Sequence, residues 1–410
     1  MAAMRAALAI SLGVLSLACF AVADTQFYQD ASFLELAKYN PFPDLPFAGN
    51  GTCGETLKNE DGTITVKCLG PAHSLKPGET INVMMYLENP YKIPGNVEVL
   101  NLTSQLVDGE NRPVPLSDVY VHHYVSSSAF LLGNGAELRG SFTRQPVKAP
   151  YALVIDTAKL TNDTIRYTNI QLINTIGVAE EDKRECLECW CKDKKDHGSF
   201  FCCKNCPAKD GPAVDYHLEY AVTYRPIAKD DTKTKKVEFI GFDITGGEIE
   251  YDILASQGPN TTLRKTYDAV IDDRCPQKKP FEVVRCIAHQ HVGSQCMYMY
   301  NLDKDELICK SCPVYGTEPG VPGNEEGYVV KMTDGDPSPP YVVEPGTRIR
   351  LVSDYSAAER RLGVMGLMSV WVGGLDKPCT GQFGASAMAS MPMPATAAIE
   401  HPLKSGIYVA

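Results

Sequence analysis

Four of the chain's eight histidines come in two pairs, His122-His123 and His289-Gln290-His291. On a strand, residues two apart point to the same face, so His289 and His291 can present two imidazoles to one metal without distorting the backbone. The same spacing also occurs in ordinary surface histidines. His122 and His123 are adjacent and would point to opposite faces of a regular strand. Sharing a metal would require a bulge, a strand end or different ring nitrogens. Met365 lies in the apolar run Gly363 to Val372, which reads first as a buried strand with Met365 and Met368 as core filler. A thioether is also a soft ligand suited to Cu(I), and imidazole suits both copper oxidation states. His289, His291 and Met365 are therefore expected to converge on one point as an open three-ligand copper site. Met388, Met391 and Met393 could also capture Cu(I), but their Ala, Ser and Pro neighbours favour a mobile tail over residues 381–410.

Sulfur carries a second chemistry. The run Cys186-Leu187-Glu188-Cys189-Trp190-Cys191 is followed by Cys202-Cys203-Lys204-Asn205-Cys206. In a cytosolic chain this spacing could bind zinc; in an exported one it reads as disulfides pairing mostly with one another. Cys309 and Cys312 are further disulfide candidates. Export is itself expected from residues 1–23, where Arg5 precedes an apolar run ending at Ala21-Val22-Ala23. Removal of that signal peptide takes Cys19 and leaves 14 of the 15 cysteines, an even number. Asn50, Asn101, Asn162 and Asn260 each begin an Asn-x-Ser/Thr sequon, so N-glycosylation is expected there.

These groups must be positioned by strands. Pro (28) and Gly (33) are frequent, and the apolar runs between them are too short for helices. Examples are Ile81–Leu87, Tyr216–Thr223, Lys236–Ile244, Glu282–Ala288 and Gly327–Met332. Tyr341 to Ser353 reads as strand, Pro-Gly turn, strand. The expected fold is all-β: two antiparallel, jelly-roll-like β-sandwiches side by side, with a disulfide-rich inserted loop. Composition shifts divide the chain into a signal (1–23), an N-terminal segment (24–70), a first sandwich (71–226, insertion 179–213), a second sandwich (227–380) and the tail.

The net charge of −11, with no basic stretch, argues against nucleic acid as a partner. After the signal, no apolar run is long enough for a transmembrane segment. A hydrolase is not supported, since neither a Gly-x-Ser-x-Gly elbow nor a His-Glu-x-x-His helix occurs.

Several motifs in order resemble the stress up-regulated Nod 19 family, over about residues 70–375. They are Val114 to His123, Ile173 to Val178 leading into the cysteine loop, and Ala288 to Gly293. Cys312 to Gly316, Gly323 to Val330 and Gly363 to Gly366 follow. That family brings no assigned biochemical activity. More distantly, His-His, His-x-His and Met on two sandwiches look like the ascorbate-dependent type II copper monooxygenases, such as peptidylglycine and dopamine hydroxylase. By that resemblance His122 and His123 would hold an electron-transferring copper on the first domain. His289, His291 and Met365 would hold an oxygen-activating copper on the second. The chain departs from the pattern at Gln171, where the resembled enzymes carry a histidine ligand, leaving His217 as the nearby candidate to complete the first site. It also has Arg361 where the Nod 19 pattern has histidine.

Two function classes follow. One is a secreted copper glycoprotein, with a degenerate or atypical monooxygenase using ascorbate or another reductant as its enzymatic form. The other is a non-enzymatic extracellular or cell-surface structural or interaction glycoprotein. Its partner would be a small molecule, a peptide or another extracellular glycoprotein.

Overall fold

The computed structural model describes residues 46–126, 147–159, 168–188, 206–247, 250–254 and 260–379. The signal segment, the tail methionines, Asn162 and four loop cysteines (Cys189, Cys191, Cys202 and Cys203) lie outside the described residues.

The protein is all-β, because alternation of apolar and polar residues recurs in segment after segment. In one four-stranded sheet β1 (Phe47–Asn50), β5 (Thr80–Tyr86), β10 (Thr168–Asn174) and β7 (Val119–Ser126) lie side by side. Facing it are β2 (Thr52–Lys58), β3 (Ile64–Leu69), β11 (Val214–Pro226), β6 (Asn96–Asp108) and β9 (Val154–Asp156), with β4 (His73–Leu75) also on β11. Between these layers every second residue of β11, from Tyr216 to Tyr224, enters a core with Ile81, Val83, Val121, Ile170 and Leu172.

A second pair of layers encloses a second core. One runs β20 (Tyr341–Val343), β15 (Phe281–Gln290), β22 (Arg361–Gly373), β12 (Lys235–Asp243) and β8 (Tyr151–Ala152), with β13 (Glu250–Ile253) also on β22. The other runs β14 (Thr262–Val270), β21 (Arg348–Ser356), β16 (Ser294–Asn301) and β17 (Glu306–Ser311). Met297 and Met299 of β16 point inward with Ile349 and Leu351 of β21, against Met368 and Val370 of β22. A small ribbon of β18 (Pro313–Tyr315) and β19 (Val329–Met332) lies beside them. β20 pairs with β15 whereas β21 pairs with β14 and β16, so the Pro345-Gly346 turn carries the chain between layers. Leu153 packs against both cores, and β8 joins a sheet built mainly from strands far later in the chain.

Five disulfides occur among the described residues: Cys53–Cys68, Cys186–Cys206, Cys275–Cys379, Cys286–Cys309 and Cys296–Cys312. Cys309 and Cys312 thus pair with Cys286 and Cys296, and the former link joins β17 to β15 across the second core. Such bonds restrict the unfolded chain and fit an oxidising compartment. Among the described residues no helix is long and apolar enough to cross a membrane. Of the sequons, Asn50 and Asn260 are exposed, whereas Asn101 is half-buried within β6.

Candidate functional site

The outward face of the β5–β10–β7 sheet does not meet solvent in the middle. His122, His123, Asn169 and Gln171 are all buried there. The register explains how both histidines reach that face. Gln171 stands opposite His123 while the next residue, Leu172, stands opposite Val121, so His122 is the extra residue of a β-bulge. Val121 and Tyr124 remain in the core, and the two imidazoles meet with Nδ1 atoms 3.2 Å apart.

Asn169 settles the tautomer of His123. Its amide nitrogen donates to the carbonyl oxygen of Val83 (3.1 Å) and to Oδ1 of Asn82 (2.6 Å). A backbone carbonyl can only accept, so the amide cannot be flipped. Asn169 Oδ1 therefore faces His123 Nε2 at 2.6 Å, and that nitrogen donates. The proton on Nε2 leaves the lone pair on Nδ1, the nitrogen that faces His122.

His289 and His291 come from β15 and the turn after it. Gln290 points the other way, donating to the Ser353 hydroxyl at 2.8 Å. His289 is opposite Leu367 and Gln290 opposite Gly366 on β22, where the ladder between the two strands ends. Residues opposed across an antiparallel pair share a face, so His289 lies on the face of Leu367 and, two residues along, Met365, and the His291 ring lies beside that of His289. Tyr355 locks the two strands together: its hydroxyl accepts from the His291 backbone N–H and donates to the Met365 carbonyl, each at 2.7 Å.

The two histidine pairs form one cluster. Ring centroids are 5.4 Å apart for His122 and His123, 5.2 Å for His289 and His291, and 6.2 Å for His122 and His291. Burial, reinforced by the neighbouring imidazoles His123, His291 and His289, holds His122 well below the ordinary histidine range. Burial also pulls His123 down to about 4, against the opposing effect of the Asn169 hydrogen bond. Both rings are neutral near pH 7, the form in which imidazole binds metal.

The cysteine insertion contributes to the same place. Its helix α1 (Glu180–Leu187) opens with Glu180, Glu181 and Asp182, acids that suit a helix N-terminus. The next residue, Glu188, accepts from His291 Nδ1 at 2.8 Å. The Cys186–Cys206 bond and the Cys206 N–H to Gly78 carbonyl bond (2.7 Å) anchor the helix end to the first core. Gly78 has φ +75°, and a Cβ there would lie 2.4 Å from the Cys206 carbonyl oxygen, so this closure requires glycine.

Sequence reasoning missed Glu188, which reads only as one acid in a charged loop. The structure does not bring His217 to His122 and His123. It sits half-buried on β11, in the other layer, with Nδ1 3.0 Å from the Gly70 carbonyl. Gln171, directly opposite His123, is the residue beside the pair. Arg361 packs against Gly293, where a Cβ would lie 2.2 Å from the guanidinium nitrogen, so Arg361 borders the His289–His291 turn. Among the described residues no three His, Cys, Asp or Glu side chains are already gathered in metal-binding geometry. His122, His123 and His291 are engaged instead with one another, Asn169 and Glu188.

No curated protein matches the chain. Similar solved structures include the VP2 subviral particle of infectious bursal disease virus, 10% identical over 79% of this chain and 74% of that one, TM-score 0.21. Another is the Sputnik virophage, 9% identical over 86% and 92%, TM-score 0.18. At such scores these likenesses carry no argument. The model of the stress up-regulated Nod 19 family matches residues 127–374, more than half of the chain. That span begins just after the bulged His122-His123 pair and takes in Glu188, His289, His291 and Met365, and by it the chain belongs to the stress up-regulated Nod 19 family.

Proposed function

We propose that this Nod 19 family chain is a secreted, N-glycosylated copper-binding protein whose single metal site is the four-histidine cluster. The observation that carries the reading is the convergence of His122, His123, His289 and His291 as buried rings between two layers. Four buried imidazoles in one place are costly for a fold that needs only packing. Their hydrogen bonds have the form of the outer shell of a metal site. In its neutral form His291 gives its Nδ1 proton to Glu188 and keeps the lone pair on Nε2, and His123 is fixed likewise by Asn169. Nitrogens 3.2 Å apart, as in His122 and His123, would subtend roughly 100° at an ion bound about 2.0–2.1 Å from each. Met365 adds a soft donor on the same face, which favours Cu(I) over zinc. Small ring rotations, exchanging the His122–His123 contact for bonds to the ion, are what loading requires.

The two-copper monooxygenase resemblance gains nothing from this arrangement. That chemistry assigns one copper to each domain, and here the two histidine pairs share one cluster. Binding without turnover is the reading the geometry favours.

The test is equilibrium dialysis of the full chain, purified from an oxidising secretory host, against buffered copper and zinc. Wild type should retain copper in preference to zinc under reducing conditions that spare disulfides, and His291→Ala should lose it. Wild type that retains no copper, or retains it equally with His291→Ala, contradicts the proposal.

A further inference from the structure

Glu250 is the first residue of β13 and stands directly opposite Met365 on β22. The Met365 carbonyl is in turn joined to the His291 backbone N–H through the Tyr355 hydroxyl. Glu250 and Met365 therefore share one face of the sheet, beside the turn that carries His291. Both carboxyl oxygens of Glu250 are sealed from solvent and have no hydrogen-bond partner among the described residues, although the residue as a whole keeps some exposure. Burial, followed by the negative charges of Glu188 and Asp252, drives its carboxyl well above the ordinary range. Glu188 is the acid that holds His291. The Glu250 carboxyl thus lies close enough to feel Glu188, the acid engaged with His291, while its own oxygens have no hydrogen-bond partner among the described residues.

A buried carboxyl that accepts no hydrogen bond costs free energy, and a cation beside it removes that cost. We infer that Glu250 is a further ligand of the cluster, supplying a carboxylate oxygen to the cation proposed for the histidines. This rests on the copper reading above and adds to it a hard donor on the face that carries the soft Met365. Carboxylate suits Cu(II) and the thioether suits Cu(I). With imidazole common to both states, the site holds copper in either.

The experiment titrates the full-length protein with chelator-buffered Cu(II), and separately with Cu(I), in wild type, Glu250→Gln and His289→Ala. Glu250→Gln keeps the side-chain shape and removes the anion. It should weaken Cu(II) roughly tenfold or more, while Cu(I) affinity stays within about twofold. His289→Ala should weaken both. Thermal melting of the metal-free proteins separates ligand from scaffold: Glu250→Gln should melt at or above the wild-type temperature, since it removes a buried acid without a partner. Unchanged Cu(II) affinity in Glu250→Gln, with binding lost in His289→Ala, overturns this inference and leaves the copper reading intact. Equal loss of both oxidation states together with a lower melting temperature also overturns it, showing a structural role. No copper in wild type removes the copper reading and this inference with it.

Discussion

The Asn169 amide is pinned by the Val83 carbonyl and Asn82, so its oxygen can only receive the His123 Nε2 proton. Asn169→Leu keeps the bulk and loses that control. Copper affinity should then fall about 10- to 100-fold, the usual effect of removing an outer-shell partner. The stability of the metal-free protein should fall by roughly 1–3 kcal/mol, because His123 and Asn82 lose a buried partner. Competition with a copper chelator reads the first effect and urea unfolding the second; an unchanged copper affinity would show that His123 is no ligand. Much of this residue-scale detail lay outside sequence reasoning. His-x-His on a strand fixes a shared face, so His289 and His291 were legible as a pair. Glu188 and Glu250 were not, because an acid in a loop or at a strand end is ordinarily solvated, and only tertiary packing strips its water.

At the scale of elements, the bulge in β7 and the helix α1 do the positioning. Alternation along β11 and the first half of β21 was legible because each buries one side-chain row there, whereas β15 is buried on both faces and reads only as a short apolar run. The bulge was not legible, since nothing in Val121-His122-His123-Tyr124 announces that Leu172 will skip His122. Similarly, the Pro-Gly turn at Pro345-Gly346 was readable as a turn, but not as a crossing between layers. Helix α1 is tethered by the Cys186–Cys206 bond at one side and by the Arg184–Glu359 ion pair (2.7 Å) at the other. The ion pair is exposed and contributes little. The disulfide closes a loop of 20 residues, worth about 3 kcal/mol by chain entropy. Replacing Cys186 and Cys206 together by Ser should therefore cost about 2–4 kcal/mol in chemical unfolding. It should also weaken copper binding, because Glu188 no longer holds His291. A double variant with unchanged copper affinity would remove α1 from the site.

For the whole molecule, the decisive feature is that histidines 167 residues apart in sequence, His122 and His289, belong to one cluster. Two sandwiches could be read from strand spacing and composition. Their mutual placement could not, because it depends on which outward faces are apolar or polar enough to be covered. Buried neutral histidines also make stability depend on pH. His73, sealed in β4, is held at about 4 against an ordinary value of 6.5, chiefly by burial and then by His217; His123 is held at about 4 as well. Between those values the unfolded chain binds more protons than the folded one, so stability falls as pH drops from about 6.5 to about 4. Each histidine contributes up to roughly 3 kcal/mol across that window. Urea unfolding of the metal-free protein at pH 7.5 and 4.5 should show the loss, and His73→Phe should shrink it; an equal loss in His73→Phe would exclude His73 as a source. The copper site proposed for the chain is a single one, built by both pairs of layers. The most direct measurement is copper stoichiometry, by metal analysis, in reconstituted wild type, His122→Ala and His289→Ala. One copper per chain in wild type, with substoichiometric copper in each variant, is the predicted result. Two coppers per chain, one surviving each substitution, would contradict it.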